Sequence, residues 1–168
     1  MSGSWTIDRA VKSRWDERNL TQTFRAFWPD PSETGSPVFN SGDARPGCRM
    51  PYVVFSKIIP IKTGESTAVA GEGGLAVEYW TQQIQFTIHA TVTTNPRRSP
   101  KEVCEILAKE IVAAYEDEAG ALDLEDDDCH IETVVGPDFD QRKDDDVWMW
   151  TLLFDVNFER RRRLRGVA

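Results

Sequence analysis

The sequence predicts an α+β fold in which one face of an antiparallel or mixed sheet packs against one main helix, beside an N-terminal helix. Two stretches, "YWTQQIQFTIHATVTT" (79–94) and "VWMWTLLFDVNFE" (147–159), alternate apolar and polar residues, which is typical of long strands. A third, "SPKEVCEILAKEIVAAY" (99–115), repeats apolar residues at helical spacing. The 168 residues suffice for one domain, 1–168, with its own core.

The N-terminal part begins with a predicted amphipathic helix over 5–18. Ile7, Val11 and Trp15 fall on one stripe of that helix, with charged residues opposite. The following "LTQTFRAFW" fits either a short helix or a strand. Residues 29–37 hold three prolines and a glycine, so we expect a loop there.

The middle of the chain reads as strands and connections. "VFN" predicts a short strand and 41–51 a turn-rich connection. "YVVFSKIIPI" (52–61) predicts a strand whose far end Pro60 limits to an edge or a bend. Residues 62–76 contain four glycines and many small side chains. This composition predicts a flexible loop that leads into the long strand.

The main helix carries clear start signals. Ser99 is the expected N-cap, Pro100 occupies the first helical position, and Glu102 completes a capping box. Gly120 is the expected end of the helix. Residues 121–128 then form a charged connection and 129–136 a strand. Residues 137–146 form an acidic hairpin tip before the closing strand.

Charge is distributed unevenly along the chain. The formal net charge of the chain is -8. Residues 116–146 hold fourteen acids and two bases, a net charge of -12, so the rest of the chain carries a net charge of +4. Much of this positive excess lies in the tail 159–168, which contains "RRRRLR". A chain with an acidic belt and a basic tail can pair with copies of itself, and can attract or repel DNA locally.

Several function classes find little support. The apolar runs are too short to cross a bilayer, no secretion signal is visible, and three unclustered cysteines suggest reduced thiols, with Cys104 in the core.

His89 reads as a solvated or interface histidine. His130 could join Asp126, Asp128 and Cys129 around a metal, but no second ligand pair follows. We therefore expect no enzyme, no cofactor and no metal site, and read "RRRRLR" as a solvated tail or a phosphate-binding run.

The order of these elements resembles one family across nearly the whole chain. The resemblance rests on the N-terminal helix ending near Trp15, on "VFNSGDARPGCRMPYVVF", on the long alternating strand, on the "SPKEVCEILAKEIVAAY" helix, and on "WMWTLLFDVNFERRR". In this layout the chain resembles the tail terminator, or tail completion, proteins of long-tailed bacteriophages, the group that contains the lambda tail terminator.

This resemblance implies a homo-oligomeric ring, usually a hexamer, in the virion tail or neck, made in the host cytoplasm. The ring would cap the tail tube, end its polymerisation and present the surface that joins the head. Its partners would be the major tail tube protein and the head connector or stopper, and DNA would pass through the bore without sequence-specific binding. A head-closure or head–tail joining ring of the neck is the alternative, and an unrelated binding module is a further one.

Three sets of residues are the candidate interaction sites. The candidates for docking on the tube are Lys62, Thr63, Glu65, Glu72 and Leu75. The candidates for the inter-subunit or head side are Arg160, Arg161, Arg162 and Arg163. The candidates for an acidic belt or bore that repels DNA phosphate are Asp126, Asp127, Asp128, Asp144, Asp145 and Asp146.

Overall fold

The structure is a computed structural model that describes residues 3–40, 49–68, 74–94, 96–116, 122 and 129–163. It confirms the predicted α+β class, with helices beside one mixed sheet. In chain order, the elements are α1 (Gly3–Glu17), α2 (Leu20–Arg25), β1 (Val38–Asn40), β2 (Tyr52–Lys57), β3 (Ile61–Ala68), β4 (Leu75–Ala90), β5 (Thr93–Thr94), β6 (Arg97–Arg98), α3 (Pro100–Tyr115), β7 (Cys129–Asp144) and β8 (Val147–Arg163).

The sheet is organised around the antiparallel pair of β4 and β8. The strand order is β1-β2-β4-β8-β7, and the two central strands pair from Leu75 opposite Arg163 to Ala90 opposite Trp148. Strands β2 and β3 lie end to end along the same edge of β4, and β7 follows the free edge of β8. The small β5–β6 ladder stands apart from this sheet.

Helices pack on one face of the central strands, as the alternation predicts. Phe86 lies at the centre of this core, with ring centroids of Tyr115 at 4.9 Å, Phe55 at 5.3 Å and Trp15 at 6.2 Å. The Tyr115 hydroxyl donates a 2.7 Å hydrogen bond to the carbonyl of Val11 and so ties α3 to α1. Aromatic pairs in this range add to the area that they bury.

The opposite face of β4 and β8, here called the open face, is polar and half-buried. Cross-strand side chains bond to each other on it: Thr81 donates to Asn157 at 2.6 Å, and Gln83 donates to Asp155 at 3.2 Å. Such pairs stabilise a sheet on a face that none of the described helices covers. The polar half of the alternating pattern therefore forms side-chain ladders.

Several expected boundaries need correction. The expected loop 62–76 is wrong for 62–68 and for 75–76, which belong to β3 and β4. Strand β4 begins at Leu75 and not at 79. The backbone groups along its added edge need hydrogen-bond partners, and β3 supplies them. A register shift between Lys62 and Gly64 accommodates the glycine within β3. At its other end β4 stops at Ala90, short of the expected 94, and β2 stops at Lys57.

The acidic hairpin tip is also shorter than expected, because β7 continues to Asp144 and only Asp145 and Asp146 form the turn. Gly136 lets the strand continue: its φ is +121°, and a Cβ there would lie 2.7 Å from the carbonyl oxygen of Leu153. A register shift at this point carries β7 past Pro137. Asp145 closes the turn in the left-handed region, with φ 48°.

The bounds of α3 and β8 also differ from expectation. Helix α3 starts as predicted, with the Ser99 hydroxyl accepting from the Glu102 amide at 3.3 Å, but it ends at Tyr115 with Glu116 as its cap, and Gly120 lies outside the described residues. The expected basic tail is strand up to Arg163, because its backbone pairs with the start of β4. The undecided "LTQTFRAFW" begins as helix α2.

We expect Phe86→Ala to lower the free energy of unfolding by about 3–5 kcal/mol, because it leaves a cavity among the rings of Trp15, Phe55, Tyr115 and Phe154. Urea denaturation monitored by circular dichroism measures the loss. Val92→Ala is the matched control, since Val92 is an exposed apolar residue beyond the end of β4. A small change at Phe86 equal to that at Val92 would contradict the packing described above.

Candidate interaction surfaces

One end of the sheet, here called the basic end, gathers the start of β4, the end of β8 and strand β3. Its charged residues are Lys62, Glu65, Glu78, Glu159, Arg160, Arg161, Arg162 and Arg163. Five bases and three acids give the basic end a net formal charge of +2. The arginines lie here because β8 continues its pairing with β4 to the last described residue.

Glu78 is the buried centre of the basic end. Lys62 donates to its carboxylate at 3.2 Å, the Trp80 indole donates at 3.4 Å, and Arg162 lies 3.9 Å away. Burial alone would raise the pKa of the Glu78 carboxyl, but the hydrogen bond and charge of Lys62 outweigh it, so the pKa is lowered. The hydrogen bond that Lys62 donates to Glu65, together with the one it donates to Glu78, raises the pKa of the Lys62 amine.

Two of the four candidate arginines already contact carboxylates of their own chain. Arg161 lies 2.7 Å from Glu159, and Arg162 reaches Glu78. The side chains of Arg161 and Arg162 are more than half exposed, so these contacts leave much of each side chain in water. Exposed pairs of this kind contribute little to stability. The basic end therefore keeps its capacity to bind an external anion or carboxylate.

The candidate docking residues do not form a loop. Lys62, Thr63 and Glu65 belong to β3, and Leu75 opens β4, directly opposite Ala68. Glu72 lies outside the described residues. The structure thus brings four of the five candidates together on a paired strand edge at the basic end.

The other end of the sheet, here called the acidic tip, is the turn between β7 and β8 with the strand that leads to it. Its charged residues are Asp138, Asp140, Arg142, Lys143, Asp144, Asp145 and Asp146, which sum to -3. All are exposed. Asp126, Asp127 and Asp128 lie outside the described residues. Opposite charge therefore occupies the two ends of one continuous ladder.

An exposed apolar bend, here called the apolar corner, joins β2 to β3 and consists of Ile58, Ile59, Pro60 and Ile61. Ile59 is 83% exposed and Ile61 is 66% exposed. The corner stays fixed to β4 because the Ile58 amide donates to the Gln83 carbonyl at 2.9 Å, while Gln82 donates to the Ile58 carbonyl at 3.0 Å. The sequence predicted that Pro60 limits this end of the strand to an edge or a bend, and the structure has a bend here.

A groove of about 580 Å³, here called the apolar groove, runs between α3 and the hairpin of β7 and β8. Its lining residues are Glu105, Ala108, Lys109, Val112, Ala113, Glu116, Phe139, Gln141 and Trp150. Phe139 is 58% exposed on one wall. The indole nitrogen of Trp150 is buried and finds no acceptor in the described ranges. The sequence offered no signal for this groove beyond a lone phenylalanine among acids.

A second hollow, of about 350 Å³, lies between α1 and the β1–β2 edge. Asp8 and Asp16 line it together with Lys12, and Asp8 also pairs with Lys57. One carboxylate oxygen of Asp8 is buried without a donor among the residues with a described placement. Lys12 is already held by Asp16 at 2.7 Å, so the hollow presents internally paired charges.

The two histidines occupy different settings. His89 stacks on Tyr52 with ring centroids 4.6 Å apart, and burial lowers the pKa of its imidazole. His130 is exposed, whereas its neighbour Cys129 is buried, because successive residues of β7 point to opposite faces. Within the described ranges, no group of three metal-ligating side chains comes together. Burial also raises the pKa of the Cys104 thiol to about 12, as befits a core residue.

In the part of the chain that is described, no helix combines the length and apolar character that crossing a bilayer would require. No family model matches this chain, and no curated protein sequence matches it.

The buried carboxylate of Glu78 generates a pH prediction. Its lowered pKa means that the folded state favours the ionised form, so this contribution is present above about pH 4.5 and is lost as the pH falls through the folded-state pKa. We expect the wild type to lose stability faster than Glu78→Gln below pH 4.5. Chemical denaturation between pH 6 and 3 measures both slopes. Equal slopes would show that Glu78 is not held as a paired carboxylate.

Proposed function

We propose that this chain is a structural virion protein that forms a ring, caps a phage tail tube, ends its polymerisation and provides the surface that joins the head. DNA passes through the bore of the ring. The proposal combines the resemblance in element order with the shape and charge of the described surfaces.

The observation that supports it best is the mismatch between the sheet and its helices. Strands β4, β7 and β8 have 16, 16 and 17 residues, which is roughly 50 Å at the usual rise, whereas α3 has 16 residues and spans about 24 Å. A sheet that outreaches its main helix offers its ends and edges to other chains. Opposite charge at the two ends suits an assembly with two different faces.

The candidate residues take these roles in the proposal. The β3 edge with Lys62, Thr63, Glu65 and Leu75 docks on the end of the tube, together with Glu72. The arginines of the basic end contact either carboxylates of the next subunit or the head connector. Both versions rest on exposed guanidinium groups, which bind carboxylates well.

The open face supports the passage of DNA. It carries threonine, glutamine and asparagine side chains, and the carboxylates of Asp138, Asp140 and Asp155 lie on it or at its margin. In the middle of the strands, a surface with this chemistry repels phosphate. The same register places Arg142, Arg161 and Arg163 on this face, nearer the ends of the strands. In the proposal, the acids at 126–128 and 144–146 add to the same repulsion.

We expect the purified protein to bind isolated tail tubes at one end only and to stop their elongation in a polymerisation assay. Negative-stain electron microscopy detects the bound end, and sedimentation gives the mass of the bound ring. Binding to head connectors with no binding to tubes would instead assign the neck ring. A chain that binds neither would reject both proposals.

The two versions for the arginines can be separated with Arg160→Gln/Arg163→Gln, which removes two charges and spares the arginines with carboxylate contacts in the chain. If the arginines face the head, head joining weakens while the mass of the ring stays unchanged. If they hold subunits together, the ring dissociates, and more readily at high salt, because exposed ion pairs are screened. Arg18→Gln/Arg97→Gln is the control for equal charge loss elsewhere. Unchanged head joining together with an unchanged ring would remove both roles.

A further inference from the structure

We propose that copies of this chain join side by side by backbone pairing: the first half of β7 (129–135) of one copy adds to the free edge of β3 of the next. Strand β3 covers Ile61–Ala68. This inference rests on the proposed ring and deepens it, because it names the contact between neighbouring subunits. The partner that each edge takes is an extended strand of a second copy.

Both edges end the sheet with backbone groups that no neighbouring strand uses. Among the described elements, β3 pairs with β4 alone and β7 pairs with β8 alone. Along the outer side of an antiparallel edge strand, about every second residue directs its N–H and C=O groups away from the sheet. Such a row of donors and acceptors is a template for one more strand.

The two halves of β7 differ in the charges that normally protect an edge. Residues 129–135 hold one charged residue, Glu132, whereas residues 138–144 hold five. Charged side chains are a common means by which a protein keeps an edge strand from pairing. The first half lacks this protection, and four of its seven residues are β-branched, a type that favours strands. It is therefore the part of the edge that suits a partner strand.

The directions of the strands suit a pair between unlike edges. Strands β3 and β8 both run antiparallel to β4, and β7 runs antiparallel to β8, so β7 and β3 run in opposite directions. When rotation about an axis along the strands places a second copy beside the first, its β3 lies antiparallel to β7 of the first copy. The open faces of the two copies then share one side of a continuous sheet, and the helices share the other.

The register places the two edges at the same height along the strands. Strand β3 pairs with residues 75–81 of β4. Across β8, Cys129 and Val135 lie at the level of Glu78 and Gln83 of β4. A second copy therefore needs little displacement along the strands to bring the two edges together. A heterologous contact of this kind generates a ring when its rotation closes.

The irregular points of the two edges also coincide. On one side, the apolar corner lies beside Gln82 and Gln83, and beyond it the edge steps outward to β2 and then β1. On the other side, β7 shifts register between Val135 and Asp138, at the level of Gln83 to Gln85. A straight β7 would collide with β1 of the next copy. A bulge bends its strand, so β7 can follow the step.

Two exposed apolar side chains lie at the paired edges. Ile61 is 66% exposed on β3, and Val135 is 56% exposed on β7. Their cross-strand partners, Thr81 and Asp155, place both of them on the open face. In the extended sheet these side chains become close neighbours, and the removal of their apolar area from water is favourable.

The backbone pairing gives the contact its size. A pair of about seven residues forms about six or seven hydrogen bonds. This number lies within the roughly 5 to 15 direct hydrogen bonds of a typical protein interface. Because side chains stand on the faces of a sheet, pairing along its edge leaves Lys62 and Glu65 on a face, where the proposed contact with the tube needs them.

Pairing between unlike edges is favoured over pairing between like edges. Two copies of β7, or two copies of β3, can also lie antiparallel about a two-fold axis, but each such dimer leaves the other edge of both copies open. The step at the corner meets the bend in β7 only when the unlike edges pair. Only this arrangement uses both edges of every copy in a ring.

The test is disulfide cross-linking between cysteines placed on the two edges of the full chain. The variant Ile61→Cys/Val135→Cys carries one on each edge, and Ile61→Cys/Thr133→Cys covers a register shifted by two residues. Within one chain the two edges are three strand spacings apart, about 14 Å. A disulfide requires Cα atoms within about 7 Å. A bond between these positions therefore forms only between copies.

Mild oxidation at about 1 mM protein should convert at least one of the two variants into a ladder of covalent multimers, seen on a non-reducing gel and lost on reduction. The matched control is Ile61→Cys/Val92→Cys, since Val92 is 55% exposed and lies outside both edges. The control should form no ladder beyond the background that the native cysteines give in the wild type. If neither edge variant forms more multimers than the control, the proposal is overturned.

A mixture of single variants decides whether the contact is heterologous. Chains with Ile61→Cys, mixed with chains that carry Val135→Cys or Thr133→Cys, should form 1:1 covalent dimers and stop there. Each single variant alone should stay largely monomeric. Dimers of one single variant in excess of mixed dimers would show that like edges pair, and would overturn the proposal.

A measurement without cross-links excludes chance collisions as the cause. Val135→Lys places a charge on the paired edge and should weaken self-association at least about 10-fold in sedimentation analysis, whereas Val92→Lys should leave it unchanged. Urea denaturation shows whether both variants keep the stability of the wild type. Equal association of the two variants, or a wild type that stays monomeric at about 1 mM, would overturn the proposal.

The outcome is separable from that of the proposed function. A chain that caps tubes but shows no cross-link between the two edges keeps its function and loses this contact. A chain that forms the cross-linked ladder but ignores tubes keeps the contact and loses the function.

Discussion

The pairing of β4 with β8 is the constraint on which the rest of the structure depends. It runs without interruption from Leu75 opposite Arg163 to Ala90 opposite Trp148, and both remaining edges are then used: one by β2 and β3, the other by β7. Because the side-chain period of a strand is two, this register also decides that Phe86 and Phe154 face the helices while Thr81 and Asn157 bond on the open face. The same register carries the arginines to one end and the acidic turn to the other.

The parts of this fold that sequence predicts are those with strong periodicity. Alternation over 79–94 and helical spacing over 99–115 identify β4 and α3, because burial on one face imposes those periods. The segment 62–68 gave no such signal, since a short edge strand with small and charged residues resembles a loop in composition. Its pairing depends on a distant strand that leaves an edge open. The sequence predicts the first half of β7, 129–136, but the second half, 137–144, escaped in the same way, because its charges and Pro137 are tolerated at an edge.

The interaction surfaces also divide into features that the sequence predicts and features that only the structure shows. Charge blocks are visible in sequence, and the structure adds that they lie at opposite ends of one ladder. The sequence predicts an edge or a bend at Pro60, but it does not show that the isoleucines around this proline are exposed. The apolar groove was not predictable, since Phe139 stands alone among acids. Exposure is decided by where the chain leaves β2 to reach β3, and by how far the hairpin extends beyond α3. Both depend on packing between segments that are distant in sequence.

The arrangement of these surfaces also bears on how the proposed ring divides its contacts. The corner and groove lie on opposite edges of the sheet, whereas the basic end and the acidic tip lie at opposite ends of its strands. If the edges of the sheet contact the neighbouring subunits of a ring, the strands run from one rim of the ring to the other. One rim then carries the arginines and the β3 edge, and the other carries the acidic turn. In that arrangement the arginines lie at one rim and would contact a partner above or below the ring. The same arrangement also gives the ring two chemically different rims, which a protein placed between a tail and a head requires.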